Sequence, residues 1–149
     1  MNDDEMMTQF DSFNQYVNLL FNDRETSLQE KIERIANFYI DMMIEHPEVA
    51  SVVLSQAKED PDRLVAKMKR VHDVNNSVLA DQILEMTRSK GKDIHAQHFV
   101  MNIISMCVFP LLAGNMIKKY GKLDDATYNK MMQERKALIP VWAMAMINN

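Results

Sequence analysis

The sequence predicts an all-α fold of about six helices, and three observations carry that prediction. Apolar residues recur at spacings of three and four through most of the 149-residue chain. Only 3 Gly and 4 Pro are present, too few for a many-turned β fold. The breaks between apolar runs are helix punctuation, with Ser27 three residues before Glu30 and the pairs His46-Pro47 and Asp60-Pro61. No alternating strand pattern, internal repeat or low-complexity run interrupts them.

The first helix is expected over Asp4–Phe21, with Phe10, Phe13, Val17 and Leu20 on one face and Asn22-Asp23 as its stop. Ser27 and Glu30 form a capping box: the hydroxyl takes a free N–H of the helix start, and the carboxylate reaches back to the cap. The second helix follows over Leu28–Glu45, with Leu28, Ile32, Ile35, Tyr39 and Met42 as its stripe. Pro47 opens a short third helix to Lys58, since a proline in the first turn lacks only an N–H that has no helical partner anyway. Asp60 caps a long fourth helix from Pro61 to Ser89, closed by Gly91. Its face of Leu64, Met68, Val71, Val78 and Met86 is interrupted by His72, Asn75 and Asn76.

The fifth helix is expected from His95 to Tyr120 behind an Asp93 cap. It is apolar around most of its circumference, so it needs partners on at least two sides. Pro110 removes one helical hydrogen bond and crowds the carbonyl of Met106, which predicts a bend there. Such a bend lets the first half line its own domain and the second half meet a neighbour. The sixth helix runs from Asp124 or Asp125 to Ile147, with Arg135 beside its apolar stripe and its head expected to snorkel to water.

Composition narrows the function. The formal net charge is −4, and no basic stripe marks a nucleic-acid surface. The single cysteine, Cys107, permits no disulfide within the chain, and the acidic N-terminus lacks a signal-peptide core, so the expected location is the cytoplasm. At 1.5 Å per residue Phe99–Ile117 spans roughly 28 Å, near a bilayer core. Asn102, Ser105, Gly114 and Asn115 fall within it, however, and the other helices are charged and amphipathic, so no membrane is expected. The 14 methionines suit either an irregular core or an adaptable binding surface.

Catalysis finds little support. Asp93, His95 and His98 lack a local fourth ligand for a metal. No Glu-x-x-His pair of a di-iron bundle occurs, nor a Gly-rich phosphate loop or a Gly-x-Ser-x-Gly elbow. Cys107 is framed by apolar residues that disfavour a thiolate. The reading is of a non-enzyme with no cofactor.

The helix order, the long helix opened by Asp60-Pro61, and the segments IERIANFYIDMMIEHPEVASVVL and HFVMNIISMCVFPLLAGNMI resemble the C-terminal domain of TetR/AcrR-family transcriptional regulators. The Phe109-Pro110 pair is similar to that family's bent penultimate helix. The resemblance covers nearly the whole chain from Ser27 onward. It implies a regulatory bundle over 27–149, with 1–26 as the linking helix and connector. It further implies a homodimer, a small hydrophobic effector, and DNA contact only through an N-terminal helix-turn-helix domain that these residues lack.

Mapped onto this chain, the implied effector pocket would take Tyr39, Met43, Met68, His72, Asn75, Phe99, Ile103 and Met106. The implied dimer interface would take Val108, Leu111, Leu112, Ile139, Trp142 and Met146. The rival expectation is a stand-alone helical interaction protein with a filled core and no ligand.

Overall fold

The computed structural model describes residues 2–67 and 74–149. Among the described residues there are eight α-helices, one 3-10 turn and no strand. The all-helical expectation holds. The helices outnumber the expected six because two predicted long helices are each divided.

Helix α1 (Asp3–Phe21) begins at a capping box that the sequence reading missed: Asn2 accepts from the Glu5 N–H, and the Glu5 carboxylate takes the Asn2 N–H, both at 2.9 Å. Helix α2 (Leu28–Glu45) starts at the expected Ser27–Glu30 box, with bonds of 3.1 and 3.2 Å. Helix α3 (Pro47–Glu59) has its proline in the first turn. Helix α4 (Pro61–Lys67) is capped by Asp60, which accepts from the Arg63 N–H at 3.0 Å.

The expected single helix over Pro61–Ser89 is not continuous. A 3-10 turn occupies Val74–Asn76, and a separate helix, α5 (Val78–Arg88), starts after it. Ser77 makes the break: its hydroxyl donates to the Val74 carbonyl at 2.6 Å and accepts from the Ala80 N–H at 3.1 Å. A buried serine bonded in both directions starts a new helix in place of extending the old one. Met68 and Val71, expected on the face of that helix, lie outside the described residues.

Helix α6 (Ala96–Leu112) is capped by His95, whose Nδ1 accepts from the Gln97 N–H at 3.1 Å, and not by Asp93 as expected. Helix α7 (Gly114–Gly121) follows at once, and helix α8 (Asp125–Asn148) is capped by Asp124. Among the described residues no single helix is long and apolar enough to cross a membrane; α6 and α7 together have the length and composition, but they bend by 70° at their junction.

The core forms where α2, α6 and α8 pack on one another, with α5 closing one side and α1 and α3 the other. Ile32, Ala36, Ile83, Ile139 and Ala143 have no exposed surface. Each fully buried isoleucine of this kind stabilises the fold by roughly 1.5–3 kcal/mol. The α1–α2 connector is fixed by a buried charge. Lys31 has no exposed surface, and its ammonium donates to the carbonyls of Asp23 (2.6 Å) and Thr26 (2.7 Å) and to the Thr26 hydroxyl (2.7 Å). Three short charge-assisted bonds offset the desolvation of that ammonium.

The bend of the penultimate helix is real but lies beyond the expected point. The backbone stays helical through Pro110 to Leu112, and the chain turns at Ala113. Pro110 has no N–H to give the Met106 carbonyl. Arg135 of α8 supplies the missing donor, with Nη2 2.8 Å from that oxygen. Arg135 therefore does not extend its head to water. Its guanidinium lies 5.1 Å from the centre of the Trp142 ring and caps a carbonyl one helix away.

The Pro110 carbonyl accepts the Tyr128 hydroxyl, also from α8. That hydroxyl reaches its acceptor only because residue 114 has no side chain: a Cβ there would stand 2.7 Å from the Tyr128 oxygen. Gly114→Ala is therefore expected to displace Tyr128 and cost about 1–3 kcal/mol of unfolding free energy. In urea denaturation, Tyr128→Phe should cost clearly less in the Gly114→Ala background than in the wild type. Equal costs in the two backgrounds would separate the glycine from this bond.

Candidate functional site

Two apolar cavities lie side by side between α1, α2, α3 and α6. The first, about 310 Å³, is walled by α1 through Phe10, Phe13, Asn14, Val17 and Phe21. Ile35 and Tyr39 of α2, Gln97, Val100, Ile103 and Ile104 of α6, and Val74 and Leu79 complete it. The second, about 210 Å³, is set between Met42 and Met43 of α2, Val49, Ala50, Val53 and Leu54 of α3, and Val108 of α6. Phe10, Tyr39 and Ile104 belong to both walls.

Helical spacing explains the walls. On α1, positions 10, 13, 14, 17 and 21 fall on one stripe, and on α2 positions 35, 39, 42 and 43 do the same. The partition is held by aromatic contacts. Tyr39 meets Phe13 edge-on at 4.1 Å between ring centres, and Phe13 stacks on Phe38 at 5.3 Å. Tyr16 closes the group against Phe38 at 4.7 Å. Offset and edge-to-face contacts of this kind fix ring orientation more firmly than area burial alone.

One wall residue is polar, buried and unsatisfied. Asn14 is 4% exposed, and its Nδ2 has no hydrogen-bond acceptor among the described residues. A buried amide hydrogen without a partner costs roughly 1–3 kcal/mol. The sequence carried a signal for it: Asn14 lies within the apolar stripe of Phe10, Phe13 and Val17, where the helical period calls for a hydrophobic residue.

Of the residues mapped to an effector pocket, Tyr39 and Ile103 line the first cavity, and Tyr39 and Met43 the second. Phe99 is packed in the core and Met106 against it, and neither borders a cavity. Asn75 is exposed on the 3-10 turn, away from both walls. Met68 and His72 lie outside the described residues. The mapping placed the pocket among the middle helices and left α1 out, although α1 supplies more of the first wall than any other helix.

Of the residues mapped to a dimer interface, Leu112 and Trp142 are on the surface, 37% and 40% exposed. Ile139 corrects that mapping: it has no exposed surface and packs in the core of its own chain. Val108 and Leu111 are half-buried against that core, as is Met146, whose sulfur accepts from Asn102 at 3.0 Å. The apolar surface free on these two helices, apart from Ile104, which also borders both cavities, is Met101, Phe109 and Leu112 of α6 with Met131, Leu138, Val141 and Trp142 of α8. It keeps Leu112 and Trp142 of the expected stripe and takes its other members from neighbouring positions.

Among the described residues no three His, Cys, Asp or Glu side chains converge to hold a metal. Cys107 is buried on α6 beside Tyr39. Burial pushes its thiol up to about 12, against a small opposing pull from Arg135. Burial also raises the Tyr39 phenol, with the nearby Cys107 adding to the shift. Neither group offers an ionised nucleophile or base near neutrality.

Compared with known protein families, curated proteins and solved structures, the chain finds no match.

The raised thiol has a consequence for stability. Below pH 9 Cys107 is neutral folded or unfolded, and its full contribution is present. Above pH 9 the unfolded chain releases the proton first, so stability falls as pH climbs toward about 12. The slope approaches about 1.4 kcal/mol per pH unit for one such group. Urea midpoints between pH 9 and 11 should fall less steeply for Cys107→Ala than for the wild type, a comparison in which other titrating groups cancel. Parallel curves would show that Cys107 ionises freely.

Proposed function

We propose that this chain is the effector-sensing and dimerisation module of a TetR-like transcriptional regulator. The observation that carries the proposal is the pair of apolar cavities between α1 and α6. Cavities that are mainly apolar, with a few polar groups, suit small hydrophobic molecules. A filled core, which the rival interaction-protein reading needs, would lack them. The resemblance carried by residues 27–149 supplies the regulatory context.

In this reading α1 is the linking helix, and operator DNA is contacted by a helix-turn-helix domain outside these 149 residues. A ligand in the first cavity presses on a wall that α1 largely forms. It favours whichever position of α1 leaves more room for it, and so shifts the balance between operator-competent and incompetent states. The equilibrium responds only as far as the ligand binds the two positions unequally.

The free apolar surface of α6 and α8 supports the second half of the proposal. Phe109 of α6 and Val141 and Trp142 of α8 stand exposed, and a two-fold packing of both helices would cover them. Because α6 carries cavity residues on one side and exposed residues on another, the dimer and the ligand share a helix.

Sedimentation velocity at micromolar concentration is expected to give a dimer, and the double substitution Phe109→Glu with Val141→Glu a folded monomer. The neutral dye N-phenyl-1-naphthylamine should brighten on binding to the wild type, and Ile103→Trp, which fills the first cavity, should reduce that signal at least five-fold. A monomeric wild type, or a dye signal indifferent to Ile103→Trp, would overturn the corresponding half of the reading.

A further inference from the structure

We infer that the effector is an uncharged molecule with an apolar body and a hydrogen-bond acceptor, a carbonyl or ether oxygen, that is read by Asn14 Nδ2 on α1. The inference rests on the sensing role proposed above and specifies the chemistry of the same site. Three features of the cavity lead to it.

The first feature is charge. Among the described residues neither wall contains a lysine, arginine, aspartate or glutamate. A carboxylate or ammonium taken into such a space would lose its hydration with no counter-charge from the described wall residues in return. The aromatic faces of Phe10, Phe13, Phe21 and Tyr39 could attract a cation, but the Asn14 amide hydrogen presents positive charge to the same space.

The second feature is the orphaned donor. Asn14 Nδ2 is sealed from solvent and lacks an acceptor among the described residues. Its side chain borders the first cavity, and because Nδ2 itself has no accessible surface, an acceptor there meets it once the amide rotates toward the void. A purely hydrocarbon ligand would leave it unpaired, as it is in the free protein. The remaining polar wall residues, Tyr39 and Gln97, are only half-buried.

The third feature is location. Asn14 belongs to α1, the helix assigned above to carry the signal. The apolar body of the ligand would lie between α1, α2 and α6, and its one directional bond is also made to α1. Recognition of the acceptor and movement of the helix are thus the same event.

The test uses four compounds that each carry two phenyl rings on one carbon, on the 149-residue chain. Benzophenone and diphenylmethane differ only in a carbonyl oxygen in place of two hydrogens, and diphenylacetate and benzhydrylammonium add a negative or a positive charge. Equilibrium dialysis is expected to show benzophenone binding about ten-fold more tightly than diphenylmethane, with both ions weaker than the ketone. In Asn14→Leu, a near-isosteric change that removes the orphan, the ketone preference should fall to within about two-fold while diphenylmethane binds at least as well as before.

Equal binding of ketone and hydrocarbon by the wild type would overturn the inference and leave the sensing reading standing. A preference that survives Asn14→Leu, or tighter binding of either ion, would do the same. No binding of any of the four would overturn the inference, and if the dye signal is absent as well, the sensing reading falls with it. The wild-type comparison needs no variant, so it holds whether or not Asn14→Leu folds.

Discussion

A proline inside a helix leaves one carbonyl without its donor, and much of this molecule is arranged around that vacancy. The carbonyl of Met106 is answered by Arg135, and the carbonyl of Pro110 itself by Tyr128. Both donors come from α8, two turns apart along it. Helix α6 can therefore stay helical to Leu112 and turn sharply afterwards, with both the Met106 and Pro110 carbonyls bonded. The same two bonds fix the register of α8 against α6. That register brings Ile139 and Ala143 into the core and leaves Val141 and Trp142 outside it. It also holds the inner face of α6, with Val100, Ile103 and Ile104, against the cavities.

The arrangement explains which parts of the fold were legible in the sequence. Caps are local: Ser27 with Glu30 and Asp60 before Pro61 behave as their spacing implies, Asp124 is the one of two adjacent candidates that caps α8, and the missed Asn2–Glu5 box carries the same three-residue signal. The stripes of α1 and α2 were equally legible, because 3.6-residue periodicity survives in any amphipathic helix. Local signals fail where a distant residue decides. The turn after α6 depends on Gly114 meeting Tyr128, fourteen positions on, and Arg135 finds its acceptor only once two helices are packed. The division before α5 was local: Ser77 follows the polar pair Asn75-Asn76, a break that the apolar face on both sides of it made look like an interruption of one long helix.

The candidate site was legible in kind and only partly in residues. Tyr39, Met43 and Ile103 were found because they lie on inward stripes of helices assigned to the interior. Phe99 and Met106 share that character, and no periodicity argument separates a residue bordering a void from one packed in solid core. Asn14 needed the opposite kind of attention. It broke a pattern, and a polar residue on an apolar stripe is where a fold departs from its own rules for a reason beyond packing. Ile139 shows the converse limit: on an apolar helix, the side facing its own core and the side facing outward are told apart only by the register that Arg135 and Tyr128 impose.

Lys31 gives the first helix a mechanical character. Its ammonium grips Asp23 and Thr26, just beyond the end of α1, from inside the fold. Withdrawing it would strand a buried charge, so in the sensing role proposed above that end of α1 would serve as a fulcrum and the helix as a lever. At 1.5 Å per residue Asn14 stands about 13 Å from the fulcrum and Asp3 about 30 Å, so the far tip travels roughly twice as far as the point where the load is applied. A displacement at Asn14 no larger than a bond length would become, at the opposite end of α1, a swing wide enough to change what that tip can reach.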